Sequence, residues 1–275
     1  MVIGLTIVAF GTSAPELIVS IQAALVGNPG IALGNVVGSN IANIALIIGI
    51  TAIVCPIPVH RATIRIDAPF LLLATIALTA ISYFSGSLTR VEGLVALAIL
   101  LLFVAYQIRT SKQASGDAED EADAAPLVPL TKSLLLLVLG IAGLKYGAEL
   151  LVKGAVDVAS GLGVDDRIIG VTVVAIGTSL PELFASVMAA RKGNVDLAVG
   201  NVVGSNLFNI MCVLAAACAI SPIPDVGPGF TTDCLWMLAL TALIWFQLRT
   251  DFRLTRTEGG VLLCTYAVFI AFTII

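Results

Sequence analysis

The residues best equipped for chemistry lie in two short, apolar-flanked stretches. In "GLTIVAFGTSAPEL" (residues 4–17), Thr12, Ser13 and Glu16 surround Pro15; in "GVTVVAIGTSLPEL" (170–183), Thr178, Ser179 and Glu182 surround Pro181. A carboxylate at the centre of a membrane helix costs about 2.5–3.5 kcal/mol on insertion scales, so two at matched positions argue against accident. Proline removes one backbone donor and disturbs the turn before it. That frees carbonyls near Ala9 to Gly11 and near Ala175 to Gly177. Carbonyls, hydroxyls and carboxylates are hard oxygen donors. They suit Ca²⁺ and similar cations, while the absence of clustered His and Cys argues against Zn²⁺ or Cu⁺.

A second pair of motifs adds donors. In "GNVVGSNIANI" (34–44), Asn35, Ser39 and Asn43 are spaced by four and share one helix face; in "GNVVGSNLFNI" (200–210), Asn201, Ser205 and Asn209 do the same. Gly34 with Gly38, and Gly200 with Gly204, form GxxxG, which lets helices approach closely. Each element alone has a plainer explanation: a proline kink re-satisfied by Ser or Thr, a packing glycine, an Asn gluing two helices. The doubled set, with two glutamates, carries the cation-site reading.

These motifs need a membrane scaffold to hold them. The 275 residues are 59% hydrophobic and 12% charged, with mean hydropathy +1.06. A soluble domain carries about 25% charged residues, so the composition fits a polytopic membrane protein. With about 20 apolar residues per crossing, nine spans are predicted: 2–26, 30–54, 67–84, 90–109, 130–152, 168–190, 195–220, 231–248 and 256–275. The polar run 110–126 holds Asp117, Glu119, Asp120, Glu121 and Asp123 and reads as a solvated linker rather than a calcium site. One set of alternate loops carries Arg61, Arg65, Arg109, Lys112, Lys132, Arg191, Lys192, Arg249, Arg253 and Arg256; the other carries only Arg90 and Arg167. That bias puts the linker and Met1 in the cytoplasm and Ile275 outside.

Other polar residues read as structural. Asp67 and Asp233 are placed at span starts, where negative charge suits the helix dipole. Arg90 with Glu92, and Arg256 with Glu258, mark interfacial starts. Lys145, Glu149 and Lys153 pair along one helix face. The five cysteines (Cys55, Cys212, Cys218, Cys234, Cys264) show no metal-type spacing and read as apolar fillers. His60, the only histidine, lies in a charged loop. Neither a nucleic-acid signature nor a signal-peptide pattern is present.

The motifs belong to a long internal repeat. Gly4 matches Gly170, Gly34 matches Gly200, Pro56 matches Pro222, Asp67 matches Asp233, and "LTRVEG" at Leu88 matches "LTRTEG" at Leu254; each pair is 166 positions apart. Residues 4–109 therefore align with 170–275 without a gap. Five crossings separate the first span from the sixth, so the copies face opposite ways. Inverted repeats are the architecture of many secondary transporters, with the substrate site at the repeat interface near the midplane.

"GTSAPE" with "GNVVGSNIAN", and "GTSLPE" with "GNVVGSNLFN", closely resemble the two α-repeats of the sodium/calcium exchanger family, within the cation/calcium antiporter superfamily. The likeness covers nearly the whole chain, and the short central loop resembles the compact prokaryotic members. The resemblance implies ten helices in two inverted halves of five, which exchange about three Na⁺ for one Ca²⁺ by alternating access. It implies ligands at Thr12, Ser13, Glu16, Ser39 and Asn43, and at Thr178, Ser179, Glu182, Ser205 and Asn209, joined by the carbonyls of Ala9 and Ala175. Some relatives that require K⁺ have Asp where this chain has Asn209, so no K⁺ requirement is predicted.

The fold expected is thus an all-α polytopic membrane protein with inverted-topology repeats, nine transmembrane helices (4+5) of a 5+5 design. Residues 1–109 form the first repeat, 110–130 the acidic cytoplasmic linker and 131–275 the second repeat. The helix at 131–159 has its counterpart before Met1, so the first helix of the family design is expected upstream of this sequence. The function expected is Na⁺/Ca²⁺ antiport in a prokaryotic plasma (inner) membrane. The partners are Ca²⁺, Na⁺ and the lipid bilayer, with no cofactor, nucleic acid or obligatory protein partner. The alternatives are an H⁺/Ca²⁺ antiporter, a non-functional truncated fragment, or a cation channel. An intramembrane hydrolase is disfavoured because no His or Lys is positioned to activate Ser13 or Ser179.

Overall fold

A computed structural model describes residues 8–114, 139, 143, 146–147, 149–158 and 161–274. The polypeptide is almost entirely helical. Two short helices, α1 (Ala9–Thr12) and α2 (Ala14–Leu25), meet at Ser13. They lead to α3 (Pro29–Val54), α4 (Thr63–Phe84) and α5 (Arg90–Ala114). After a helical stretch at 149–158 come α6 (Asp166–Thr178) and α7 (Leu180–Arg191), then α8 (Leu197–Ile220), α9 (Gly227–Asp251) and α10 (Arg256–Ile274). Among the described residues, six helices are long and apolar enough to cross a membrane, or seven if α6 and α7 count as one bent span. The nine-span expectation differs here. Residues 8–26 of the first expected span are not one helix but break at Ser13; α5 runs on to Ala114, so residues 110–114 of the expected linker are helical, while the rest of the linker, Lys145 and most of 130–152 lie outside the described residues.

Helices α3 and α8 occupy the centre, with 83% and 72% of their apolar windows buried. For α5 and α10 the shares are 22% and 28%, and their large side chains, such as Leu102 and Phe272, are exposed. Apolar surface of that kind belongs against lipid. Around the centre the packing follows the 166-residue offset: α3 packs on α10 as α8 packs on α5, and α2 packs on α3 as α7 packs on α8. The self-matched pair α4 and α9 pack on each other. A two-residue antiparallel ribbon, β1 (Ile57–Pro58) with β2 (Arg253–Leu254), pairs Ile57 with Leu254; its offset mate is the bridge between Leu88 and Ile223.

The outer helices start where the sequence says they should. Thr89 and Glu92 form a reciprocal cap, with the Thr89 N–H and hydroxyl donating to Glu92 at 2.7 and 2.9 Å and the Glu92 N–H donating to the Thr89 hydroxyl at 3.3 Å. Thr255 and Glu258 repeat it at 2.8, 2.7 and 3.3 Å. Such capping satisfies orphan donors and contributes about 1 kcal/mol per helix.

Asp67 and Asp233 correct the sequence reading. Helix α4 begins at Thr63 and α9 at Gly227, so both aspartates lie a turn or more inside, buried. A buried carboxylate needs partners rather than a dipole. Asp67 accepts a hydrogen bond from Gln107 of α5, and Asp233 forms an ion pair with Arg167 of α6. Arg167, read from sequence as a loop cation, thereby ties α6 to α9.

Candidate ion-binding site

The site is built by two helix breaks and two buried asparagine helices. Pro15 and Pro181 lack the N–H that would bond the carbonyls of Gly11 and Gly177. The chain turns at the residue two before each proline: Ser13 has φ −82°, ψ 4° and Ser179 has φ −84°, ψ 4°. The break between α6 and α7 bends the span by 42°. Each serine stands at a helix start, yet its hydroxyl makes no cap bond and is free to reach across the molecule.

The two copies interlock through these hydroxyls. Ser13 donates to Glu182 Oε1 at 3.2 Å, and Ser179 donates to Glu16 Oε1 at 3.2 Å. Thr12 donates to Asn201 Oδ1 at 3.1 Å, and Thr178 donates to Asn35 Oδ1 at 3.0 Å. The hydroxyls of Thr12 and Ser205, and of Thr178 and Ser39, each lie 3.3 Å apart. Asn35 and Asn201 are themselves anchored on Ser20 and Ser186 at 2.9 and 3.3 Å. Asn35 and Asn201 therefore position threonines rather than offering free oxygens.

Close backbone approach makes this interlocking reachable. A Cβ built on Gly34 would lie 2.6 Å from the Arg167 carbonyl, and one on Gly38 would lie 2.6 Å from Val171 Cα. Only hydrogen at these positions lets α3 and α6 cross so tightly, which is the role small residues play between membrane helices.

Nearly all the candidate ligands converge on this centre. Ser13, Glu16, Ser39, Asn43, Thr178, Ser179, Glu182, Ser205 and Asn209 are buried, as are the backbone positions Ala9 and Ala175; Thr12 is half-buried. The carbonyls of Ala9 and Ala175 are less free than the proline argument implies. Each accepts two bonds, from the following Ser N–H at 2.9 and 3.1 Å and from the Thr hydroxyl at 3.3 and 3.2 Å.

Several buried polar atoms are left without hydrogen-bond partners. They include Oε2 of both Glu16 and Glu182, Oδ1 of Asn40, Asn43 and Asn209, and Nδ2 of Asn209. A buried polar group without a partner costs about 1–3 kcal/mol, more when charged. The carboxylate oxygens among them are free to take a cation or an ordered water. Among the described residues no three His, Cys, Asp or Glu side chains come together. The donor set is two carboxylates plus amides and hydroxyls, a hard-cation set.

Two features were missed from sequence. Asn40 and Asn206 are fully buried beside Asn43, but they fall off the four-residue spacing that singled out their neighbours. In addition, Asn43 and Asn209 sit in π-helical turns, Ala42–Ile47 and Asn209–Val213. Such wide turns occur often at functional sites. The repetition of "SNIANI" as "SNLFNI" was the available signal for both.

The sodium/calcium exchanger protein family matches residues 1–109 and 132–275. CaxA of Alkalimonas amylolytica, a candidate antiporter, is 43% identical over 273 residues, covering 97% of this chain and 85% of that protein. The sodium/calcium exchanger MaX1 of Methanosarcina acetivorans is 32% identical over 312 residues, covering 98% and 87%. The inner membrane protein YrbG of Escherichia coli is 36% identical over 250 residues, covering 88% and 76%. A solved structure of the sodium-calcium exchanger NCX_Mj, soaked with Na⁺ and Sr²⁺, matches with a TM-score of 0.75 at 33% identity, covering 98% of this chain and 86% of that one. The molecule is a multi-pass integral membrane transporter, not an enzyme. It belongs to the sodium/calcium exchanger family.

Proposed function

We propose that this protein exchanges Na⁺ for Ca²⁺ by alternating access. The ions bind where the two repeats meet, at Thr12, Ser13, Glu16, Ser39, Asn43, Thr178, Ser179, Glu182, Ser205 and Asn209, with the carbonyls of Ala9 and Ala175 as accessory donors. One observation carries this reading. The two glutamates are buried at the repeat interface, each cross-linked to the other copy's serine, and each keeps one oxygen without a partner. The exchanger names of MaX1 and NCX_Mj support the choice of ions.

The charge balance sets the transport physics. Two carboxylates are neutralised by one Ca²⁺ or by two Na⁺. A third Na⁺ leaves a net positive charge in the site, and a charge carried across the membrane is worth about 2.3 kcal/mol per 100 mV. Exchange with that stoichiometry is voltage-sensitive. With Asn at both 43 and 209, K⁺ is not needed to balance a third carboxylate. The loop-charge bias supports a cytoplasmic 110–130 linker, and the name of YrbG supports an inner-membrane location.

The test is Ca²⁺ uptake into proteoliposomes loaded with Na⁺. Uptake driven by the outward Na⁺ gradient, and persisting when the pH gradient is collapsed, supports the proposal. Uptake that follows the pH gradient alone identifies proton coupling, with the glutamates carrying protons, and overturns it.

A further inference from the structure

The amide orientations at the centre form a directed chain. A backbone carbonyl can only accept, and the carbonyl of Asn40 faces the Asn206 amide at 3.4 Å, so Asn206 presents Nδ2 to it. Asn206 Oδ1 then faces Asn43, which must present its own Nδ2, at 2.9 Å. Asn43 Oδ1 is consequently turned away from this contact, buried and unpartnered. Asn206 thus decides which end of the Asn43 amide is offered to a cation.

The 166-residue offset maps this bond onto a second one, between Asn209 Nδ2 and Asn40 Oδ1. That second bond is open: both atoms are buried and unpartnered. Asn40 instead turns back on its own helix, donating to the Val36 carbonyl at 2.7 Å. The surrounding threonine and serine bonds are made in both copies at nearly equal lengths. The copies also differ at the serines, where Ser205 donates to Glu182 at 3.3 Å while its mate Ser39 donates to Asn35 at 3.5 Å, but among the asparagines the open bond leaves both of its atoms buried and unpartnered.

We propose that Asn40 and Asn206 are positioning residues forming a two-way amide switch. In the arrangement seen here Asn206 aims Asn43. In the oppositely facing arrangement Asn206 turns back to the Val202 carbonyl, and Asn40 releases Val36 to aim Asn209. A bond made on one side and open at its offset mate is what a repeat swap would exchange. The proposal rests on the reading of Asn43 and Asn209 as ligands and goes beyond it: neither Asn40 nor Asn206 need touch an ion.

The experiment measures the apparent KM for Ca²⁺ on each face separately, in right-side-out and inside-out vesicles, for Asn206→Ser and Asn40→Ser. Losing one orienting hydrogen bond should raise KM about fivefold on the face served by that bond. Asn206→Ser should weaken one face and leave the other within about twofold of wild type; Asn40→Ser should do the reverse. A merely structural role would move both faces together. Equal changes on both faces, or none on either, overturn the switch, as does loss of folded protein in both Ser variants and again in Asn206→Thr and Asn40→Thr. The underlying site reading fails separately, if Glu16→Gln and Glu182→Gln retain exchange.

Discussion

Replacing Gly38 with alanine tests whether the tight crossing of α3 and α6 positions the site. The added methyl would lie 2.6 Å from Val171 Cα and 2.7 Å from Ala175 Cβ, against 3.4 Å for ordinary contact. The nearest obstacle is backbone, so a rotamer change cannot relieve it and the helices must part by about 0.8 Å. Thr178 rides on α6. Its 3.0 Å bond to Asn35 would stretch to about 3.8 Å, beyond hydrogen-bonding range, and its 3.3 Å approach to Ser39 would go with it. Two such bonds at about 1 kcal/mol each correspond to roughly thirtyfold in ion affinity. Overpacking should separately destabilise the protein by about 1–3 kcal/mol. Na⁺-driven Ca²⁺ uptake at varied Ca²⁺, with thermal unfolding of the purified protein, reads both effects. Gly260→Ala, where the added methyl meets nothing within 4 Å, is the control and should behave as wild type. Wild-type KM and stability in Gly38→Ala would refute the claim that this crossing holds the site.

Arg167→Leu should destabilise the protein by about 3–5 kcal/mol by leaving Asp233 buried without its cation, and Arg167→Leu with Asp233→Leu should recover much of that, both read by thermal unfolding. Thr255→Ala removes the cap of α10 and should cost about 1 kcal/mol in the same assay, with little effect on KM. Replacing K⁺ by choline on both sides should leave Ca²⁺ uptake unchanged; a K⁺ requirement would contradict the charge balance drawn from Asn43 and Asn209.

Much of the site was legible because it is written twice. Thr-Ser-x-Pro-Glu and Gly-Asn-Val-Val-Gly-Ser-Asn each recur at the same offset, and the structure joins the copies through bonds that recur at that offset too. The paired "LTRxEG" stretches likewise mark two helix starts that prove to be reciprocal caps. The partners of the two buried aspartates escaped the sequence because they lack this doubling. The mate of Gln107 is Thr273, which bonds the Phe269 carbonyl instead of an aspartate, and the mate of Arg167 is Met1. The partners of Asp67 and Asp233 therefore differ in kind, and only tertiary packing reveals them. Asn40 and Asn206 were hidden for another reason. The four-residue spacing singled out Asn35, Ser39 and Asn43, whereas Asn40 and Asn206 stand three residues before Asn43 and Asn209, an interval that also shares a helix face.

The most direct test of the central claim is calcium binding to the purified protein by equilibrium titration, with Na⁺ as competitor. The account predicts saturable Ca²⁺ binding that Na⁺ displaces, abolished in both Glu16→Gln and Glu182→Gln while each variant remains folded. Wild-type Ca²⁺ affinity in either folded variant would contradict a shared two-carboxylate site.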